Sequence, residues 1–124
     1  MKTGFWYLAT PYTGYANHMR EVADRATDDV LLGLAANRAA QEAAKLLGAG
    51  VHVYSPIVHS HVLCKSSNLS FTDHEFWMAV DEPFMQAAIG MIVVKMPGWD
   101  ASEGIAYERR RFAEMRKPIL WLEV

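Results

Sequence analysis

Ser102, Gly104 and Glu108 fall in the stretch GWDASEGIAYERRRF, residues 98–112. The stretch reads as a turn running into a helix. Helical spacing stacks Ile105, Glu108, Phe112 and Met115 on one face. That face should point at the core, so Glu108 aims a carboxylate along an apolar stripe. A helix start offers free N–H groups and the positive end of a dipole, which suit a phosphate. Ser102 would add a hydroxyl there, and Gly104 would let a ligand come close. Glu108 follows Ser102 by six residues, ~9 Å up a helix at 1.5 Å per residue. A phosphate resting on the helix start would therefore bring its sugar near Glu108. Plainer readings stand beside this one. Ser102 or Asp100 can be an ordinary cap, Glu103 opposes an anion unless it turns away, and Glu108 can lean into solvent or pair with Arg109, Arg111 or Arg38.

Asp81 closes HEFWMAVD, four residues after Trp77 and just before Phe84 and Met85. Large apolar neighbours raise a carboxyl pKa toward the range of a general acid. The same aspartate also suits a cap for a helical piece opened by Pro83. The turn ATPYTG supplies hydroxyls at Thr10, Tyr12 and Thr13 together with Gly14, but is neither GxGxxG nor a Walker loop. His59 and His61 flank Ser60 and would share a face on a strand, a spacing that metal sites use. No Asp, Glu or Cys falls at a matching spacing, and HEFWM is not HExxH, so no metal is expected. Trp77, Trp99 and Tyr12 could stack on a base, with Trp99 suited to a mobile cover.

Four short apolar runs should position these groups: FWYLA (5–9), VHVYS (51–55), MIVVK (91–95) and PILWLEV (118–124). Most lack clean alternation, as strands buried on both faces of a parallel sheet do. Between the first two, positions 36, 39, 40, 43, 46 and 47 follow helical spacing, with Asn37, Arg38, Gln41, Glu42 and Lys45 on the opposite face. Residues 16–32 also look helical, a reading weakened by Asp24, Asp28, Asp29 and Gly33. Pro56 should break the pattern and leave a long loop over 57–71. Thr72 with Glu75 makes a capping box for the next helix, Pro83 opens a further piece over 82–89, and a last helix runs from Ser102 to about Arg116. The alternation predicts an α/β fold, a Rossmann-like, flavodoxin-like parallel sheet of about four strands in the order 2-1-3-4 with helices on both faces. Ligands then bind at the carboxyl ends of the strands, near the loops that begin at Thr10, Ser55 and Lys95.

At 124 residues the chain reads as one domain, 1–124. A formal net charge of -2 gives no global basic field for gripping nucleic acid. The single cysteine, Cys64, excludes an internal disulfide and a thiolate metal cluster. The start has neither a signal-peptide core nor a cleavage site, and no apolar run reaches the ~18 residues of a membrane span. A cytoplasmic protein is expected.

YLATPY, VYSP, an Asp ahead of an apolar strand, SEGIAYE and KPILWL occur in fixed order. This order resembles the nucleoside 2-deoxyribosyltransferase superfamily over nearly the whole chain, and most closely small bacterial members with YSPI.HSH, EFW...D and GW..S.G...E patterns. Residues 15–33 depart from it. The resemblance implies that Glu108 is the nucleophile that attacks the sugar C1′, that Tyr7 hydrogen-bonds it, and that Asp81 protonates the departing base. It places Ser102 where the transferases have Asp, as in members that act on deoxynucleoside 5′-monophosphates. The implied activity is cleavage or transfer at the N-glycosidic bond of a (deoxy)nucleoside 5′-monophosphate through a covalent glycosyl–enzyme, with no cofactor. Thr10, Tyr12, Ser55, Ser102, Gly104 and Trp99 would bind the substrate, and a homo-oligomer is implied. The alternative is a nucleotide-binding sensor that keeps the fold and has lost the chemistry; a third reading, a hydrolase with a metal on His59 and His61, is weaker.

Overall fold

The computed structural model describes residues 3–124; Met1 and Lys2, included in the expected domain, lie outside the described residues. In chain order the elements are β1 (Trp6–Ala9), α1 (Thr13–Arg20), α2 (Asp28–Gly48), β2 (Val53–Tyr54), α3 (Pro56–Lys65), α4 (His74–Ala87), β3 (Gly90–Val94), α5 (Glu103–Glu114) and β4 (Ile119–Leu122). The strands form one parallel sheet in the order β2-β1-β3-β4. Tyr7 lies across from Tyr54 on one side and Met91 on the other, at the centre of the sheet.

Alternation along the strands divides the core into two layers. Tyr7, Ala9, Met91 and Val93 face Met85, Ala88, Ile105 and Phe112, so α4 and α5 cover one side. Leu8, Ile92 and Val94 face Tyr15 and Ala35, so α1 and α2 cover the other. This is the doubly wound arrangement expected from the sequence. Among the described residues no helix is long and apolar enough to cross a membrane.

Several local expectations are corrected. The 16–32 segment is not one helix: α1 ends at Arg20, and α2 starts at Asp28 behind a Thr27 cap that accepts from the Val30 N–H at 3.3 Å. Asp28 and Asp29 sit in the first turn of α2, where acids favour the positive end of the dipole. Residues 57–71 are mostly helical, because Pro56 occupies the first turn of α3 after a Ser55 cap. The next cap is Asp73 rather than Thr72, accepting from the Phe76 N–H at 3.3 Å. Pro83 opens no new helix; it lies inside α4, where its missing N–H leaves the Ala79 carbonyl without the usual helical partner. The far end of α4 is held by Lys117, whose ammonium donates to the carbonyls of Met85 at 2.9 Å, Ala88 at 2.7 Å and Gln86. Glu42, expected on the solvent face, is only 3% exposed. Arg38 and Lys45 pair with it at 3.0 and 3.1 Å.

One backbone contact sets the rim of the sheet. Gly98 adopts φ 93°, and Gly14 and Gly98 pack face to face, so that a Cβ on Gly14 would lie 2.7 Å from the Gly98 carbonyl oxygen. This contact clamps the start of α1 to the 3-10 turn Trp99–Ala101 that leads into α5. The loops after β1 and β3 therefore meet at the carboxyl ends of their strands. Gly14→Ala should lower stability by about 1–3 kcal/mol, because backbone cannot yield as a side chain does. Gly33→Ala in α2, with nothing within 4 Å, should be neutral or stabilise by about 0.5–1 kcal/mol. Urea denaturation of the two variants checks this.

Candidate active site

A cleft of about 820 Å³, part of it open to solvent, lies at the carboxyl ends of β1 and β3. Its floor holds Tyr7, Asp81 and Glu108, contributed by β1, α4 and α5. One end is polar, with Thr10, Tyr12, Thr13, Ser102 and Gly104; Ile57, Phe71, Trp77 and Met78 form an apolar wall.

Glu108 stands on α5 between Ile105 and Phe112, both buried, as the helical spacing required. None of the three cations proposed as partners reaches it. Arg38 pairs with Glu42, Arg111 binds Glu82 and Glu114, and Arg109 stacks on Trp121 with its guanidinium carbon 4.9 Å from the ring centre. Its hydrogen-bond partner is the Tyr7 hydroxyl, which donates to Oε2. Burial pushes the Glu108 carboxyl up to about 8, the Tyr7 hydrogen bond pulls it down, and the Asp81 charge pushes it up again. Burial likewise raises Asp81 to about 6, against a lowering by the Tyr7 hydroxyl. Tyr7 is raised well above the ordinary phenol range by burial and by both acids. Two interacting acids lose their protons as a pair. Between about pH 6 and 8 the pair holds one proton, shared between a Glu108 carboxyl that burial favours neutral and an Asp81 carboxyl that titrates lower.

Among the described residues, two buried polar atoms of the cleft lack a protein partner: Thr10 Oγ1 and Asp81 Oδ1. Such atoms are rare in folded proteins and suit a ligand. Asp81 is not a helix cap, because α4 runs straight through it. Ser102 does cap α5, accepting from the Ile105 N–H at 3.2 Å, which leaves its own O–H to donate. Glu103 is exposed and outside the cleft lining. A Cβ on Gly104 would meet only Ser102 Oγ, at 3.8 Å, so the residue borders open space. Tyr12 holds His61 Nδ1 at 2.7 Å through its hydroxyl.

Ser55 and Trp99 are not cleft residues. The Ser55 hydroxyl oxygen caps α3 by accepting from the Val58 N–H at 3.3 Å, and Trp99 packs edge-on against Trp121 with Lys95 over both rings. His59 and His61 lie on α3 rather than a strand and turn to different partners, Tyr54 and Tyr12. Among the described residues no group of three His, Cys, Asp or Glu could hold a metal ion. Phe71, Met78 and Tyr107 line the cleft without having been singled out from the sequence. Phe71 was hidden in a stretch read as a featureless loop.

The described residues put no Lys or Arg in the lining. A unit charge at the start of α5, ~9 Å from an ionised Glu108, is repelled by about 2 kcal/mol at an effective dielectric of about 20. The helix start returns only about 0.3–1 kcal/mol.

The fold and site define a doubly wound parallel α/β domain with a two-carboxylate cleft at the carboxyl ends of its central strands. Residues 4–124 match the family described as Domain of unknown function (DUF1937), and the chain belongs to that family. No curated protein matches the chain.

The raised acids make stability depend on pH. The folded carboxyl of Glu108 titrates near 8 and its ordinary value is 4.5. The stabilising protonated form is fully present below 4.5 and is lost as pH rises through 8. Glu108→Gln lacks this loss. Its Tm should exceed that of the native protein by a gap that is flat below about pH 4.5, widens to about pH 8 and reaches on the order of 10 °C. Differential scanning calorimetry across pH 4–9 measures it, and a gap independent of pH would remove the buried-acid description.

Proposed function

We propose that this protein breaks, or transfers across, the N-glycosidic bond of a nucleoside or its 5′-monophosphate, with Glu108 as nucleophile. One observation carries the reading: a core-facing glutamate without a cationic partner, held by Tyr7 beside a second acid on the floor of an open cleft. A protein gains no stability by burying such a carboxylate, and perturbed acids that share a cleft are characteristic of catalytic sites. The ordered motifs that resemble the nucleoside 2-deoxyribosyltransferase superfamily give the same roles to Tyr7, Asp81 and Glu108.

The chemistry is that of a retaining glycosidase. The Glu108 carboxylate forms a bond to C1′ as the C1′–N bond breaks, and Asp81 gives its proton to the departing base nitrogen. Water then attacks C1′, its proton returns to the Asp81 carboxylate, and Glu108 leaves as carboxylate. A second base in place of water makes the reaction a transfer. Tyr7 aims Glu108 and stabilises its charge through the donated hydrogen bond. Trp77 offers an aromatic surface to the base, and Thr10, Tyr12, Ser102 and Gly104 border the sugar and its 5′ end. No step calls for a metal or organic cofactor. The resemblance also implies a homo-oligomer, and exposed Val62, Leu63 and Phe76 on α3 and α4 supply apolar surface for a second copy.

The Ser102 pattern favours a monophosphate, whereas the cation-free lining and its two acids favour the uncharged nucleoside. The charge balance is the larger effect, so the nucleoside is the better substrate.

A panel of ribo- and deoxyribonucleosides and their 5′-monophosphates, scored by chromatography for free base with and without an acceptor base, tests this proposal. The expected result is base release with a higher kcat/KM for the nucleoside than for its monophosphate, following a bell-shaped pH profile with limbs near 6 and 8. Glu108→Ala should lower kcat by at least about 10³-fold, on the scale of losing a catalytic group, and remain folded. A Glu108→Ala enzyme as active as the native one would sink the proposal. Thermal stabilisation by these ligands without base release would make the cleft a nucleotide sensor.

A further inference from the structure

Residues 66–73 join α3 to α4 and bring Phe71 into the lining of the cleft. Every hydrogen bond this strap makes is local: Ser67 Oγ donates to the Leu63 carbonyl at 2.6 Å, the Leu69 N–H to Ser67 Oγ at 3.1 Å, and the Thr72 N–H to Ser70 Oγ at 3.2 Å. The longest in sequence runs from Trp77 Nε1 to the Ser70 carbonyl, 2.8 Å. Among the described residues none ties the strap to the sheet or to α1 or α2.

Phe71 is the exception to this local pattern. Among the described residues it is the strap's one side chain in a hydrophobic cluster, packed against Ala16, Leu31 and Leu32 of α1 and α2. Its ring meets Tyr12 edge-on, with centroids 5.7 Å apart at 86°. Phe71 also stands where three hollows meet. It lines the cleft, a hollow of about 460 Å³ along α1 with Asn17 and Arg20, and one of about 760 Å³ with His61 and Lys65. One half-buried ring thus borders all three spaces and carries the strap's packing on the body.

We propose that residues 66–73 are the lid of the cleft and that Phe71 is its latch, seated between Tyr12 and the α1–α2 pair and released as a unit with the strap. A segment with local bonds and one apolar anchor can open without disturbing the core. Closure would keep bulk water from Asp81 and Glu108, and opening would admit ligand past Tyr12. Trp99, the cover expected from the sequence, is not in the cleft lining and packs against Trp121 with Lys95 over its ring. The nature of the enclosed ligand rests on the proposed function; the lid does not.

The full chain is compared as native protein, Phe71→Leu and Phe71→Ala by two readouts that need no turnover, so that failure of the lid and failure of the proposed chemistry are told apart. In hydrogen exchange, peptides over 66–73 should exchange ahead of the core in the native protein and at least tenfold faster in Phe71→Ala, on the order expected when a local opening replaces a latched state. Phe71→Leu should stay near native, and peptides from α2 and β3 should not change. In peroxide oxidation, Met78, which lines the cleft, should convert to sulfoxide several-fold faster in Phe71→Ala. The lid is overturned if strap peptides exchange equally in native protein and Phe71→Ala, if they exchange only together with the core, or if Met78 oxidation is unchanged.

Discussion

The structure turns on one half-buried hydrogen bond, from Tyr7 to Glu108, where the central strand meets the last helix. Glu108 must face inward because Ile105 and Phe112 on the same stripe fill the core, and α5 cannot rotate without exposing both. A carboxyl in that place needs a donor, and the pairing of β1 between β2 and β3 fixes Tyr7 as that donor. The nearby cations are committed elsewhere, with Arg111 holding α4 through Glu82 at 2.9 Å. The acid is therefore left to the cleft and to Asp81. The Gly14–Gly98 contact completes the constraint by drawing the loops after β1 and β3 together above it. The chain departs most from the rules of stable burial where it has the means to handle a ligand.

Much of this architecture is legible in the sequence. The four apolar runs are strands because near-continuous hydrophobicity suits a sheet covered on both faces, and the right-handed crossover rule leaves few orders besides 2-1-3-4. What is not legible hinges on residues with two meanings. Pro56 reads as a breaker, yet behind Ser55 it starts α3. Pro83 reads as a starter, yet tertiary support from Lys117 and the Arg111–Glu82 pair lets α4 run through it. Glu42 follows the polar face of α2 in sequence and is buried in the fold. Burial pushes its carboxyl up, but the hydrogen bonds from Arg38 and Lys45 outweigh this and hold it below the usual range.

The site divides along the same line. Ser102, Gly104 and Glu108 lie within two helical turns of each other; periodicity turns Glu108 inward, and the helix start, with its free N–H groups, links it to Ser102 and Gly104. Tyr7 and Asp81 come from elements far apart in sequence, and the family resemblance rather than spacing drew them to Glu108. Ser55 and Trp99 were placed by their loops, and a loop position does not tell where a side chain turns: one caps a helix and the other packs on β4. Phe71 carries no local signal, since its importance arises where separate elements close around a single ring.

The central claim is that Glu108 becomes covalently attached to a sugar carbon. Intact-mass spectrometry of the protein quenched in acid during turnover of a 2′-deoxynucleoside, followed by peptide mapping, reads that bond directly. The account predicts a pentosyl adduct confined to the peptide that carries Glu108 and absent from Glu108→Gln. Base release with no adduct, or with an adduct on another residue, would contradict it.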